Sequence, residues 1–256
     1  MIPGVPDPAA ALPAALRTIA GNSDVRLVWA NEVGGRTFRV GTERFVKWSP
    51  HAAGIDLRRE SARLRWAARY TSVPVVLDEG ADDSGQWLLT RALSGESAVA
   101  PEWIADPERA VVAIGRGLRA LHDALPVADC PFDWSVSSRL ARACFDPRAW
   151  HSENRCLSPD EVRIRLSSSP PIDQLVVCHG DACAPNTLID SDGSCSGHVD
   201  LGALGIADRW ADLAIATWST QWNYGPGWED ALLDAYGIAP DAERTAYYRL
   251  LWDVTP

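Results

Sequence analysis

The stretch from Leu175 to Gly202 constrains the fold of this chain more than any other part of it. It starts with an apolar run, Leu175–Val177, which is typical of a strand end, and continues as His-Gly-Asp up to Asp181. Asn186 follows at a spacing of Asp-x-x-x-x-Asn, and Asp200 lies beyond a polar turn. Mg²⁺ binds to hard oxygen ligands, and a carboxylate can accept the proton of a hydroxyl group. The stretch therefore predicts a site where a metal and a carboxylate act together on a hydroxyl group.

The length and apolar content of the chain fit one large domain or two small ones. It has 256 residues, of which 46% are hydrophobic, and this is enough for a sizeable core. No apolar run reaches the roughly 18 residues that a membrane span needs. The first residues lack the features of a signal peptide and predict a proline-rich lead-in, followed by a helix over residues 9–20. We therefore expect a cytoplasmic protein without a membrane partner.

The charge balance argues against nucleic acid as a partner. The chain has 24 basic and 34 acidic residues, which gives a net charge of −10. Nucleic-acid binding needs clustered lysines and arginines, so it is not expected. The acidity fits a polycationic small-molecule partner, and it is also compatible with a role in solubility alone. The six cysteines show no CxxC pair or zinc spacing and are expected to be reduced core thiols.

Apolar periodicity divides the chain into a β-rich part and an α-rich part. Strands are expected over residues 25–29, 36–40, 44–48, 73–77 and 86–90, of which the first three form an antiparallel meander. A helix over residues 56–67 separates the third strand from the fourth. Helical periodicity dominates later, over residues 108–125, 135–145, 159–166, 210–221, 228–236 and 241–253. The change near residue 95 predicts a boundary between two lobes.

One lysine stands out against an arginine-rich composition. Of the 24 basic residues only Lys47 is a lysine, and it lies on the third predicted strand. Glu60 lies in the helix that follows. A strand lysine paired with a helix glutamate holds the α- and β-phosphates of ATP in protein kinases, where an Asp-x-x-x-x-Asn loop also occurs. The order of these pieces along the chain, after a glycine turn at Gly34-Gly35, is that of a kinase.

Longer segments resemble one family of kinases. The segment CHGDACAPNTLID, followed by HVDLGALGIADRWADLAIAT, resembles the aminoglycoside phosphotransferases, and among them the 3′-phosphotransferase (kanamycin/neomycin kinase) group. The resemblance implies an α+β, two-lobed protein-kinase-like fold. A nucleotide-binding lobe over residues 1–94 would hold a five-stranded antiparallel sheet with one helix, and a mainly helical lobe over residues 95–256 would carry the catalytic loop and the acceptor site. It also implies transfer of the ATP γ-phosphoryl group to an aminoglycoside hydroxyl with Mg²⁺, conferring resistance.

The resemblance assigns roles to individual residues. Asp181 would be the catalytic base, and Asn186 and Asp200 would be the metal ligands. Four residues would bind the nucleotide: Lys47 at the phosphates, Glu60 as its partner, and Arg91 and Leu93 through backbone groups at the adenine. Three residues would receive the ammonium groups of the acceptor: Glu153 and Asn154, in a shortened helical segment, and Asp253 near the C-terminus.

The chain departs from the 3′ group on the acceptor side. Ala203 follows Gly202 where many members carry arginine, Trp218 stands where several carry arginine, and the C-terminal sequence differs. These departures keep an alternative open, namely a kinase of the same fold for another hydroxyl-bearing metabolite such as choline, a sugar or a macrolide. A non-catalytic nucleotide-binding protein is a further alternative.

Several other residues have plainer interpretations. A structural role is expected for His198, and His122 and Asp123 are expected to be a helix C-terminal charge and a packing contact. Trp222 and Trp228 flank a loop on the expected acceptor side, where an aromatic ring could stack on a sugar.

Overall fold

The computed structural model describes residues 12–31 and 33–255. The chain divides into two compact units, which meet in sequence between Leu93 and Ser94. Of the helix expected over residues 9–20, the first three positions lie outside the described residues, and the helix α1 spans Ala14–Ala20. The nucleotide-binding and catalytic roles that the sequence assigns to the two lobes stay a prediction.

The first unit is built on a five-stranded antiparallel sheet with strand order β1-β2-β3-β5-β4. Its strands are β1 Val25–Ala30, β2 Arg36–Val40, β3 Arg44–Ser49, β4 Val75–Asp82 and β5 Gly85–Arg91, and helix α2 Leu57–Ala67 connects β3 to β4. Alternating residues such as Phe38, Val40 and Val46 are buried and pack with Leu16 of α1. The expected sheet, its meander and the helix after the third strand are confirmed.

Strand β4 differs from the sequence prediction at both ends. It begins two residues later, at Val75, because Pro74 has no backbone N–H to donate to the ladder. It continues to Asp82, through residues expected to form the turn, because the turn itself is short: Asp82 pairs with Gly85. The Asp82 carboxylate accepts hydrogen bonds from the backbone N–H and hydroxyl of Ser84, at 2.8 and 2.6 Å, and these bonds close the hairpin.

The second unit is mainly helical. Its described helices are α3 Pro101–Ile104, α4 Pro107–Ala124, α5 Val136–Leu140, α6 Pro159–Leu166, α7 Trp210–Tyr224, α8 Glu229–Tyr236 and α9 Ala242–Val254. Helix α7 is buried on nearly all sides and packs against α4, α8 and α9, as its mostly apolar sequence dictates. Among the described residues no helix is both long and apolar enough to cross a membrane.

Helix α5 is shorter than the predicted helix over residues 135–145. It ends at Leu140, because the amide of Cys144 donates to the carbonyl of Val254 at 2.7 Å instead of continuing the helix. The cysteine prediction is also only partly right. None of the six cysteines forms a disulfide, and all six lie among the described residues, but Cys144 and Cys156 are exposed and do not belong to a core.

Short strands frame the central stretch of the second unit. They are β6 Glu96–Ser97, β7 Leu175–Cys178, β8 Thr187–Ile189, β9 Cys195–His198 and β10 Gly205–Asp208. β7 pairs antiparallel with β10, and β8 lies between β6 and β9. The loop after β7 and the loop after β9 are thereby each anchored at both ends, which fixes the residues that they carry.

Candidate active site

In the first unit, Lys47 and Glu60 form the expected ion pair. The Lys47 Nζ atom lies 2.7 Å from Glu60 Oε1, and the two side chains are 25% and 8% exposed. Strand β3 presents the lysine from the middle of the sheet, since Lys47 stands opposite Thr37 on one side and Leu88 on the other. The pair is largely shielded from water, so it holds the ammonium in one place more firmly than a surface pair would.

The start of α2 is fixed independently of this pair. The Asp56 carboxylate caps the helix by accepting from the Arg58 N–H at 3.1 Å. The Gln86 side chain on β5 accepts from the Leu57 N–H at 2.8 Å and donates to the carbonyl of Ile55. The helix therefore brings Glu60, in its first turn, to the lysine with a defined orientation.

The two residues expected near the adenine lie at the end of β5. Arg91 is the last residue of the strand and stands in register with Arg44 and Val75, so its backbone belongs to the sheet. Leu93 lies two residues beyond the strand and ends the first unit. Their role at the adenine stays a prediction.

In the second unit, the side chain of Asp181 is fixed by two near neighbours in the loop after β7. Its Oδ1 accepts a hydrogen bond from the Cys183 thiol at 3.1 Å, and its Oδ2 accepts from Asn186 Nδ2 at 3.1 Å. Asn186 Nδ2 also donates to the Asp181 carbonyl at 2.9 Å. Burial raises the pKa of the Cys183 thiol, which therefore stays protonated and acts as a donor.

The electrostatics around Asp181 favour a bound cation. Burial and the nearby Asp200 carboxylate raise the pKa of Asp181, while the hydrogen bonds from Cys183 and Asn186 act in the opposite direction. Asp200 has φ of 64°, and it is the single non-glycine residue with positive φ in the described part of the chain. Asn186 directs its amide nitrogen to Asp181, and its side-chain carbonyl oxygen is of the type that could bind a metal ion. This set of hard oxygens next to like charges fits Mg²⁺.

The Asp212 carboxylate of α7 binds the backbone of the loop after β7. Its Oδ2 accepts from the His179 N–H at 2.6 Å, and its Oδ1 accepts from the Gly180 N–H at 2.9 Å. His179 Nδ1 accepts from the Asp181 N–H at 3.2 Å, so Nε2 carries the proton and donates to the Val199 carbonyl at 2.9 Å. The His179 imidazole thus connects the loop after β7 to the loop after β9.

His122 lies in the last turn of α4, at the helix end as expected, but its side chain contacts residues of other helices. His122 is buried, with Nε2 3.0 Å from Asp212 Oδ2 and Nδ1 2.8 Å from the Tyr236 hydroxyl. Asp123 instead pairs with Arg119 at the surface, at 2.7 Å. Burial also lowers the pKa of His198 to about 3, so this histidine is neutral, as a structural role requires.

The three residues expected on the acceptor side do come together, with Asp253 on α9 and with Glu153 and Asn154 on a turn rather than a helix. Residues 152–156 form turns, so the expected helical segment is wrong. Asn154 Nδ2 donates to Asp253 Oδ2 at 2.6 Å, and the His151 N–H donates to Asp253 Oδ1 at 3.0 Å. The exposed Glu153 accepts from Trp218 Nε1 at 3.1 Å. These two hydrogen bonds to Asp253 hold the chain in the turn, because in a helix the His151 N–H and the Asn154 side chain would not both point to Asp253.

The residues that support the loop are absent from the set predicted from the sequence. Asp212, Cys183 and Ser219 each hydrogen-bond to the loop, and Ser219 Oγ accepts from the Ala184 N–H at 2.9 Å. Two of the three lie on α7, far along the chain. The sequence feature that could have indicated Asp212 and Ser219 is their position as polar residues in an otherwise apolar helix, because buried polar groups need hydrogen-bond partners.

The fold and the loop define a kinase-like phosphotransferase. The chain belongs to the phosphotransferase enzyme family, whose family model matches residues 28–248. It is 37% identical over 229 residues to an aminoglycoside 3′-phosphotransferase of Streptomyces fradiae, covering 82% of this chain and 84% of that protein. It is 35% identical over 245 residues to the streptomycin 3″-kinase of Streptomyces griseus, covering 86% and 88%.

A solved structure of another aminoglycoside phosphotransferase is also similar to this chain. The aminoglycoside phosphotransferase APH(3″)-Id from Streptomyces rimosus, in complex with ADP and streptomycin, is 29% identical with a TM-score of 0.71, covering 93% of this chain and 95% of its own. The resemblance to the aminoglycoside phosphotransferases and the expected kinase-like α+β fold are confirmed. The roles of individual residues stay predictions.

Proposed function

We propose that this chain is an ATP-dependent phosphotransferase that moves the γ-phosphoryl group to a hydroxyl of an aminoglycoside and so confers resistance. The observation that carries the proposal is the Asp181 carboxylate, oriented by Cys183 and Asn186 next to Asp200, in a chain similar to aminoglycoside 3′-phosphotransferases. The 3′-hydroxyl is the acceptor that these relatives favour. A cytoplasmic location would fit the use of ATP.

Asp181 would orient the acceptor hydroxyl and accept its proton. Its Oδ1 and Oδ2 each take one hydrogen bond from the protein, which fixes the carboxylate plane without occupying every lone pair. Lys47, held by Glu60, would bind the α- and β-phosphates of ATP. Asn186 and Asp200 would hold Mg²⁺, which neutralises charge on the phosphates when bound. Catalysis would then come chiefly from positioning and electrostatics.

A second candidate is the 3″-hydroxyl of streptomycin. It is favoured by the similarity to the streptomycin 3″-kinase of Streptomyces griseus and to the Streptomyces rimosus enzyme bound to ADP and streptomycin. The two candidates share the same loop chemistry and differ only in the pocket. A comparison of acceptors therefore decides between them.

The test is a panel of acceptors in an assay of ADP formation. It contains a kanamycin-type aminoglycoside, its 3′-deoxy counterpart, streptomycin, choline and a macrolide. We expect turnover with the first compound and none with its 3′-deoxy counterpart. Turnover with streptomycin alone would support the second candidate. Turnover only with choline or the macrolide would contradict both, and Mg-ATP binding without transfer to any acceptor would point to a non-catalytic protein.

The catalytic base is tested by Asp181→Asn. The amide keeps the size of the side chain and loses the proton acceptor, so kcat should fall by about 10²- to 10⁴-fold. Asp190→Asn, on the polar turn after β8, is the matched control and should keep full activity. Near-normal turnover of Asp181→Asn would remove the proposed role.

A further inference from the structure

A series of polar side chains leads from the C-terminal half of α7 to the Asp181 carboxylate. Next to Asp181 is Cys183, whose Sγ lies 3.1 Å from Asp181 Oδ1. Ser219 Oγ accepts from the N–H of Ala184, the residue after Cys183, and Asn223 Nδ2 lies 3.1 Å from Ser219 Oγ. Ser219 and Asn223 are four residues apart in α7 and therefore lie on one face of the helix. The face that contacts the loop after β7 thus carries a further polar residue, Asn223.

The orientation of the Asn223 side chain is fixed by the backbone of its own helix. Its Nδ2 atom lies 2.8 Å from the Ser219 carbonyl oxygen and 3.1 Å from Ser219 Oγ. A carbonyl oxygen can only accept, so the group that faces it must be the NH₂ end of the amide and not its oxygen. The NH₂ group has two protons, one for each of these acceptors. Asn223 therefore donates to the Ser219 hydroxyl.

The buried Ser219 hydroxyl receives two hydrogen bonds, from the Ala184 N–H and from Asn223. A hydroxyl oxygen has two acceptor positions and one proton, so with both positions filled the proton must go to a third group. Thr217 and Thr220 on the same helix donate their protons to backbone carbonyls. Within residues 12–31 and 33–255, no carbonyl accepts a hydrogen bond from Ser219 Oγ. Its proton therefore needs another acceptor.

The Cys183 sulfur is the acceptor next to this hydroxyl. Burial raises the pKa of the Cys183 thiol, and a side-chain hydrogen bond with Ser219 acts in the opposite direction. A hydrogen bond lowers the pKa of a thiol when it is donated to the sulfur, because it then stabilises the thiolate. The thiol keeps its own proton and donates it to Asp181 Oδ1. Every donor in the series, from Asn223 to Cys183, thus points toward Asp181.

The direction of these hydrogen bonds matters because a thiol is a weak donor. If the Ser219 proton pointed elsewhere, the Cys183 thiol could turn its own proton to Ser219 Oγ and leave Asp181 Oδ1 without a donor. The carboxylate would then be held only at Oδ2, by Asn186. A carboxylate held at one oxygen meets the acceptor hydroxyl in more orientations, and fewer of them are reactive.

We propose that Asn223 and Ser219 are positioning residues for the Asp181 carboxylate and act on it through the Cys183 thiol. They direct the thiol proton to Oδ1, while Asn186 holds Oδ2. The proposal rests on the proposed function and adds two residues of α7 to the machinery for phosphoryl transfer. Because these residues act on the carboxylate and not on binding, their loss should lower kcat and leave both KM values nearly unchanged.

A double-mutant cycle in kcat tests whether Asn223 acts through Cys183. Asn223→Asp keeps the size of the side chain but turns the Ser219 proton toward itself, so kcat should fall about fivefold, with both KM values within about twofold. Cys183→Ala should lower kcat about tenfold, and adding Asn223→Asp to it should change kcat by less than about twofold. Cys183→Ser keeps a donor and should recover most of the loss. Asn22→Asp, at an exposed turn of the first unit, is the matched control and should leave kcat unchanged.

Two results would overturn the positioning role while the wild-type protein still phosphorylates an aminoglycoside, and the proposed function would then stand. One is an equal loss of kcat from Asn223→Asp with and without Cys183, because a residue that only supports α7 acts whether or not the thiol is present. The other is unchanged kcat in folded Asn223→Asp. If Asn223→Asp does not fold, the same cycle with Asn223→Ala decides, since alanine also removes the donor. Transfer to no aminoglycoside by the wild type would overturn the function and the positioning role with it.

Discussion

The geometry of the loop after β7 depends on the carboxylate of Asp212. It accepts the N–H groups of His179 and Gly180 and a hydrogen bond from His122, all in a fully buried position. Burial acts to raise the pKa of Asp212, but the hydrogen bond from His122 and the interactions with His179 and Gly180 together hold the pKa below the ordinary value. The charged carboxylate is therefore the form that the fold requires.

Asp212→Asn should destabilise the fold and misplace Asp181. An amide offers one acceptor where the loop needs two, and its NH₂ group would face a backbone N–H. We expect a loss of about 2–4 kcal/mol in the free energy of unfolding, measured by urea denaturation, together with lower kcat. Asp160→Asn, at an exposed position of α6, is the control.

The pH dependence of this loss follows from the lowered pKa. An aspartate whose folded pKa is depressed stabilises the protein above its unfolded value of about 3.9, and this contribution disappears as pH falls through the folded value. The difference in the free energy of unfolding between wild type and Asp212→Asn should be largest at neutral pH and should become smaller below about pH 4. A gap that is constant with pH would contradict the charge-based account.

Helix α7 joins the loop after β7 to the turn that carries Glu153, a residue proposed to bind the acceptor. It carries Asp212 next to the loop backbone, Ser219 against Ala184, and Trp218, whose indole N–H donates to Glu153. Its polar residues face specific partners, while most of the others pack in the core. The sequence predicts that this helix exists, because its residues are mostly apolar. The partners of its polar residues could not be predicted, since they lie on other elements.

Ser219→Ala tests the contact between α7 and the loop. It would leave the buried Ala184 N–H without its acceptor, so the free energy of unfolding should fall by about 1–2 kcal/mol. The KM for the acceptor and kcat should change along with it, because Ala184 follows Cys183. Ser167→Ala, at the exposed end of α6, is the control and should have little effect. The stability of both variants is measured by thermal unfolding. Equal stability of the two variants would show that the contact contributes nothing.

The sheet of the first unit could be predicted closely from the sequence. Its period-two alternation marks β2 and β3, and with them the position of Lys47. The C-terminal end of α5 and the turn that carries Glu153 could not be predicted, because they depend on hydrogen bonds to Val254 and Asp253, which are distant in sequence. Asp181 was recognisable from local spacing, whereas its support by Asp212 depends on tertiary structure.

For the molecule as a whole, the excess of acidic residues should help to attract a polycationic acceptor. The net charge is −10, and attraction between the protein and an aminoglycoside is screened by salt. Raising the ionic strength tenfold should raise the acceptor KM by roughly threefold or more. The KM for ATP, an anion, should rise less. An acceptor KM independent of salt would show that the acidity serves solubility alone.

Direct transfer of the γ-phosphoryl group is the measurement that bears most closely on the central claim. ATP labelled at the γ-phosphate is incubated with Mg²⁺, an aminoglycoside bearing a 3′-hydroxyl and either wild-type protein or Asp181→Asn, and the product is analysed by mass spectrometry and NMR. We expect labelled phosphate on the aminoglycoside hydroxyl, in equal amount to the ADP formed, and almost none with Asp181→Asn. ADP formed without labelled aminoglycoside, or equal labelling by the two proteins, would contradict the account.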